Sequence, residues 1–223
     1  MTAIAIAAPI ACARPDAEAG AGRALLCATL AAASMALSEA DDDLELMRRV
    51  GAGDAQAYRA LSSRYLGPLL RYAARLLGDS AEAEDIVQET FLRLWQQAAR
   101  FEPRAAKPRT WLYRIAHNLC VDRLRRRREV GSDALDQNPG GERPSGLFDR
   151  KELAVEVQAA LSALPERQRA ALVLVHYEGL DNAEAASVLG CGVEAVESLL
   201  ARGRRALREQ LARLYAQVKG ELP

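Results

Sequence analysis

From Asp41 to Leu214 apolar residues recur every three or four positions, with no sustained alternation of apolar and polar residues and few β-branched or aromatic runs. A chain written this way can bury its apolar stripes by packing helix on helix, so the expected fold class is all-α. The periodicity lapses at residues 129–149. Gly131, Asn138-Pro139-Gly140-Gly141 and Pro144-Ser145-Gly146 are turn and linker chemistry there, and five acids (Glu129, Asp133, Asp136, Glu142, Asp149) face one base, Arg143. The expected organisation is two small helical domains, 41–128 and 150–223, joined by a flexible acidic linker, 129–149.

Residues 1–40 contain sixteen alanines mixed with Gly, Pro and Ser. They are expected to form a disordered extension. No Lys or Arg precedes the apolar stretch Ile4 to Ala13, so the basic start of a signal peptide is missing, and Met35 or Met47 is a candidate translation start beside Met1. The longest apolar stretch, Ala24 to Leu37, is broken by Thr29 and Ser34 and falls short of the ~18 residues of a membrane span. Cys12, Cys27, Cys120 and Cys191 form no CxxC pair, which argues against a disulfide framework or zinc ribbon and for a reducing, cytoplasmic location.

In the first domain, Asp54 to Leu77 has helical spacing, although Pro68 inside it is expected to kink or split the helix. Asp79 with Glu82 three residues on reads as a capping box. The helix that follows, to about Arg100, turns Ile86, Val87, Thr90, Phe91, Leu94 and Trp95 to the core and Asp85, Gln88, Glu89 and Arg93 outward. After a loop with Pro103 and Pro108, Thr110 to Arg127 is again helical, with Trp111, Leu112, Ile115, Ala116 and Leu119 inward.

Charge concentrates in this last stretch. Ten bases (Arg100, Arg104, Lys107, Arg109, Arg114, Arg123, Arg125, Arg126, Arg127, Arg128) stand against Glu102 and Asp122, a net +8 in a chain whose thirty bases and thirty acids cancel overall. Such a stripe attracts phosphates, and Phe101, Trp111 and Tyr113 among the arginines are of the type that stacks unpaired bases. The plainer alternative is a core tryptophan beside a solvated helix end.

The second domain carries Leu153, Val157, Ala160 and Leu161 on one helix, a second beginning at Leu164-Pro165, and a stop at Glu178-Gly179-Leu180. A short helix, Asp181 to Leu189, opens on an Asp181–Glu184 capping box. Gly190-Cys191-Gly192 makes a turn, and Val193 to Leu214 is a long helix. Short helix, glycine turn and second amphipathic helix form a helix-turn-helix, the geometry that lays its second helix in a DNA major groove. Val196, Leu200, Gly203, Leu207, Leu211 and Leu214 are its buried stripe. Glu194, Glu197, Ser198, Ala201, Arg202, Arg204, Arg205 and Arg208 point outward.

Two other classes can be weighed on the same residues. A dimeric helix-turn-helix repressor needs the second domain alone plus a dimer face. An enzyme needs a convergent catalytic set, and none is visible: no Gly-rich phosphate loop or nucleophile elbow accompanies Glu84, Asp85 and Glu89. His117 and Cys120, at i and i+3, lack further ligands, so no catalytic residue, metal or cofactor is expected.

The run from Ala83 to Trp95 (AEDIVQETFLRLW), followed by Thr110-Trp111-Leu112-Tyr113-Arg114-Ile115-Ala116-His117-Asn118 and later by Leu161-Ser162-Ala163-Leu164-Pro165-Glu166-Arg167-Gln168-Arg169, resembles the extracytoplasmic-function sigma factors of the sigma-70 family. Order, spacing and linker agree over Asp41 to Leu214. The resemblance implies a non-catalytic specificity subunit that binds core RNA polymerase and directs transcription initiation at specific promoters. It places Asp85, Gln88, Glu89 and Arg93 against the β′ clamp helices of the polymerase. Arg104, Lys107, Arg109, Trp111, Arg114, Asn118 and Arg123 fall on the surface that melts and holds the minus-ten element. Glu197, Ser198, Ala201, Arg202, Arg204 and Arg205 fall on the helix that reads the minus-35 element. Glu197 and Leu199 stand where many relatives carry arginine; glutamate accepts from cytosine N4, whereas arginine prefers guanine. Partners implied are core RNA polymerase (β′ clamp helices and β flap), promoter DNA and an anti-sigma factor.

Overall fold

The computed structural model describes residues 42–104, 106–130 and 150–220, excepting the side chains of residues 130, 150–154 and 213–220. The expectations for residues 1–40, for linker residues 131–149 and for the Leu214 side chain lie outside the described residues. Among the described residues the chain is all helical, with no strand. Helix α1 covers residues 42–51, α2 Ala55–Leu77, α3 Ser80–Gln97 with a 3-10 turn Ala98–Arg100, and α4 Pro108–Val130. After the linker come α5 Arg150–Ser162, α6 Glu166–Leu172 continued by a π-helical turn Val173–Tyr177, α7 Asn182–Leu189 and α8 Val193–Gly220. No helix among the described residues is long and apolar enough to cross a membrane.

Helix starts follow the chemistry written at them. Asp54 Oδ1 accepts from the amides of Gln56 and Ala57 at 2.8 and 3.2 Å, while its Oδ2 takes Arg49 Nη2 at 2.6 Å, fixing α1 against the start of α2. Asp79 accepts from the Ala81 and Glu82 amides. Glu82, however, turns its carboxylate to Arg127 Nη2 at 2.7 Å and so ties α3 to α4. Asp181 and Glu184 form the full reciprocal box. Gly190 ends α7 at φ +60°, a left-handed conformation that glycine adopts without strain, and there the chain turns toward α8.

The expected break at Pro68 does not occur: α2 is one helix of 23 residues. Proline crowds the Cβ of the residue before it and so disfavours helix there. Here that residue is Gly67, which has no Cβ, and Leu61, Tyr65, Leu69, Tyr72, Ala73 and Leu76 bury one face of the helix on both sides of the proline.

The buried apolar residues form one cluster, to which α1–α4 contribute Met47, Leu61, Leu69, Tyr72, Leu76, Leu94, Leu112 and Tyr113, all inaccessible to solvent, and the helices after residue 150 contribute Leu161, Leu164, Leu172, Leu174, Val188, Val196 and Leu200. Asp43 on α1, 5% exposed, accepts bonds from Arg64 and the Tyr65 hydroxyl on α2, and Leu46 and Met47 follow it into the core. A start at Met47 would delete the first of these anchors.

Two placements differ from the expected inward faces. Trp95 is 41% exposed, its ring edge-on to Tyr58 at 5.2 Å. Trp111, Ile115 and Leu119 are half-buried, whereas Leu112 and Ala116 are fully enclosed.

His117, 8% exposed, shares a 2.9 Å hydrogen bond between its Nδ1 and the Tyr72 hydroxyl. Burial pushes its imidazole down to about 4. An unfolded chain takes up that proton below about pH 6.5 and the folded one does not, so stability is fully present above pH 6.5 and is lost as the pH falls toward 4. Urea unfolding is expected to show a loss of about 2 kcal/mol between about pH 6.5 and pH 5, at about 1.4 kcal/mol per pH unit. His117→Gln should flatten that dependence; an equally steep loss in the variant would assign it elsewhere.

Candidate functional site

Three surfaces follow from this framework, and the first is the outer side of α3. Its helical period separates the buried Ile86, Val87, Thr90, Phe91 and Leu94 from Asp85, Gln88, Glu89 and Arg93. The Asp85 side chain is 65% exposed, and Glu89 Oε1 holds Arg93 Nε at 2.8 Å across one turn. A groove between α3 and α4 is lined by these four residues together with Leu92, Leu119, Asp122, Arg123 and Arg126. Leu92, 48% exposed, lies at the same groove and gives the charged face an apolar component that helical periodicity alone did not single out. Arg123 belongs here as well. Its guanidinium is 3.7 Å from Glu82 and 3.9 Å from Asp85, so the structure groups it with the acidic helix and not with the other six residues of the basic surface.

The second surface is the 101–109 loop with the exposed side of α4. Arg104, Arg114 and Asn118 are exposed, and Trp111, half-buried, meets Phe101 edge-on at 5.8 Å. Trp111, Arg114 and Asn118 lie three and four positions apart and share a helix face. Tyr113 departs from the sequence reading. It is fully buried against Tyr72 at 5.5 Å, so it has no ring face to offer a base.

Lys107 and Arg109 are already engaged. Lys107 Nζ is 2.8 Å from Glu184 Oε1, and the Arg109 guanidinium donates to the Glu178 carbonyl and lies 5.9 Å from the Tyr113 ring centroid. Both acceptors belong to the second domain. Sequence reading treated Glu178 as part of a helix stop and Glu184 as part of a cap, and no local signal marks either as a partner for residues some 70 positions away.

The third surface is the start of α8. Val196, Leu200 and Gly203 are buried against the rest of the second domain, and Glu197, Ser198, Ala201, Arg202, Arg204 and Arg205 are all exposed, as are Glu194 and Arg208. Leu199 is 8% exposed, which removes it from any base-reading set. Arg202 and Arg204 lean back to the carbonyls of Ser198 and Leu200 at 3.2 and 3.3 Å, single bonds on an exposed surface that a phosphate or a base edge can replace. The basic patch therefore has its carboxylate Glu197 and hydroxyl Ser198 one turn nearer the helix-turn-helix corner. Among the described residues no group of three or more His, Cys, Asp and Glu could hold a metal ion.

The family model for sigma-70 region 2 matches residues 61–130, and that for sigma-70 region 4 matches residues 154–207. The chain is 38% identical over 148 residues to the ECF RNA polymerase sigma factor SigE of Mycolicibacterium smegmatis, covering 64% of this chain and 57% of SigE, a little over half of that relative's length. It is 37% identical over 169 residues to the ECF RNA polymerase sigma factor SigL of Mycobacterium tuberculosis, covering 73% of this chain and 93% of SigL. Its fold is similar to that of the sigma factor RpoE in complex with the anti-sigma factor NepR from Bartonella quintana, with a TM-score of 0.60 and 25% identity over 71% of this chain and 98% of that one.

Proposed function

The chain belongs to the extracytoplasmic-function sigma factors of the sigma-70 family, non-catalytic subunits that bind RNA polymerase and direct initiation at specific promoters, and we propose how its three surfaces divide that work. The outer face of α3, with Asp85, Gln88, Glu89 and Arg93, docks on the β′ clamp helices of core RNA polymerase, and the second domain leans on the β flap. Arg104, Lys107, Arg109, Trp111, Arg114 and Asn118 hold the melted minus-ten strand, with Arg123 at the border between that strand and the acidic helix. Glu197, Ser198, Ala201, Arg202, Arg204 and Arg205 read the minus-35 duplex.

The observation that carries this reading is the segregation of charge and burial on α8. Every residue assigned to DNA is exposed, while Val196, Leu200 and Gly203 on the same helix are buried. Phosphate contacts by the arginines supply affinity that falls with salt, and base-edge contacts supply choice of sequence. Glu197 at the corner favours a cytosine amino group, whereas an arginine there would favour guanine. The minus-ten surface works differently: melting exposes unpaired bases, and a half-buried tryptophan flanked by cations can stack one while holding its phosphates. The site of action is the cytoplasm, with the polymerase. An anti-sigma factor that covers both domains is the expected regulator, in line with the partner named for RpoE.

Arg202→Ala is expected to weaken binding to the upstream element by about 1–3 kcal/mol if the guanidinium meets a base, and to relax the preference at one position. Footprinting of the reconstituted holoenzyme on its promoter tests this, and an unchanged footprint removes Arg202 from the reading set.

A further inference from the structure

We infer that Arg205 and Arg208 form a phosphate clamp on the duplex flanking the minus-35 element, apart from the residues that read its bases. The inference rests on the assignment of α8 to minus-35 DNA made above.

Helical spacing puts Glu194, Glu197, Ala201, Arg205 and Arg208 on one face of α8, three or four positions apart, and all five are exposed. Val196, Leu200 and Gly203 are buried on the opposite side, so this face is the one turned outward. Charge changes sign along it. Two carboxylates stand at the helix-turn-helix corner, the Ala201 methyl group follows, and two guanidiniums come last. The second helix of such a motif presents its N-terminal residues to base edges. Glu194 and Glu197 are therefore at the end that enters the groove, where exocyclic amino groups and not phosphates are met.

Length decides what the arginines reach. At ~1.5 Å per residue Arg205 lies about 12 Å and Arg208 about 16 Å along the axis from Glu197. The major groove is ~12 Å wide. With Glu197 on the groove floor, Arg205 stands at the groove edge and Arg208 past it, beside the phosphate backbone. The match to sigma-70 region 4 ends at residue 207, just before Arg208, while α8 continues to Gly220.

The partners of the other arginines point the same way. Arg93, Arg123, Arg125, Arg127 and Arg128 each meet a carboxylate, and Arg202 and Arg204 turn back to carbonyls of α8 itself. Among the described residues the side chains of Arg205 and Arg208 have no hydrogen bond or ion pair, although Glu209 stands four positions from Arg205. Arg204 and Arg205 lie four and three positions from Arg208, and like charges at that spacing repel. A row of phosphates relieves the repulsion and releases counterions, so the affinity gained there falls as salt rises. The carboxylates at the other end repel phosphates and so disfavour a seating with the ends of the helix exchanged. Choice of sequence and salt-dependent affinity thus come from different ends of one helix.

The test uses holoenzyme reconstituted from the full chain and core RNA polymerase, with duplex fragments recovered by binding from a random pool. Arg208→Gln is expected to weaken binding about tenfold at about 0.1 M salt, equally for every fragment, and to lower the slope of log affinity against log salt by about one. The double variant Arg205→Gln, Arg208→Gln should lower the slope by about two. Arg208→Lys should restore most of it, since a phosphate needs the charge whereas a base edge needs the guanidinium fork. Single methylphosphonate substitutions, each neutralising one phosphate beside the element, should include positions that weaken the parent and leave the double variant unaffected. An unchanged salt slope in Arg208→Gln, or no phosphate whose neutralisation depends on the two arginines, overturns the clamp. A changed base preference in Arg208→Gln overturns it as well, in favour of base reading. A lowered slope in a holoenzyme that recovers no common upstream sequence leaves the clamp standing and overturns the minus-35 assignment instead.

Discussion

Asp85→Arg is expected to lower affinity for core RNA polymerase by at least about a hundredfold, the scale of removing one partner from a desolvated interfacial charge pair and replacing it with a like charge. The substitution costs the fold little. The Asp85 side chain is 65% exposed, and its ion partner Arg123 stands at 3.9 Å in a solvated groove, where such pairs contribute next to nothing to stability. Glu89 offers a comparison. Its bond to Arg93 orders the neighbouring turn, so Glu89→Arg should weaken polymerase binding and also fray that pair. Binding is read by titrating labelled chain with core enzyme, and stability by urea unfolding of the same samples. Wild-type affinity in a folded Asp85→Arg protein would move the polymerase surface off α3.

Gly203→Val should unfold the helix-turn-helix domain under conditions where the first domain stands. A Cβ at position 203 would lie 2.7 Å from Leu172 Cδ1, 3.2 Å from its Cγ and 3.6 Å from Gln168 Cβ. Leu172 is 2% exposed and closed in by the core, so it cannot swing away, and α6 and α8 must separate instead. Overpacking of this kind costs about 1–3 kcal/mol for the first methyl alone, against the ~1 kcal/mol of helix propensity that alanine returns. Gly203→Ala should therefore be mildly destabilising, and Val, with two further methyls and a stiffer χ1, should cost more than about 3 kcal/mol. For a domain of this size that is most of its stability. Minus-35 recognition should disappear with it, while polymerase binding through α3 persists. A variant that melts like the parent would mean that α6 and α8 are not packed at this point.

The helices were legible because their signals are local. The caps at Asp79 and Asp181 and the alternation of buried and exposed positions along α8 depend on residues within a turn or two of each other. Where the reading failed, the deciding contact came from far along the chain. Pro68 was expected to break α2, and the burial of Leu69, Tyr72 and Leu76 by other helices, with Gly67 in front of the ring, holds the helix together. Tyr113 was expected among base-stacking groups, yet α2 brings Tyr72 against it and the second domain brings Glu178, 65 residues away, to its hydroxyl. Trp95 carries the right period for the core but is left 41% exposed, with Tyr58 edge-on to its ring. Leu199 shares a stretch with Glu197 and Ser198, and only the packing of α8 decides that it turns inward. The same reason hid the engagement of Lys107 and Arg109: composition shows a basic stripe, and tertiary structure alone shows the Glu184 carboxylate and the Glu178 backbone carbonyl lying on it.

The claim on which the rest depends is that this chain is a polymerase specificity subunit, and the most direct measurement is gel filtration of the full chain mixed with bacterial core RNA polymerase. A stoichiometric complex that Asp85→Arg abolishes is the result predicted here. A folded chain that elutes apart from the core enzyme, as a dimer able to bind duplex DNA unaided, would contradict it.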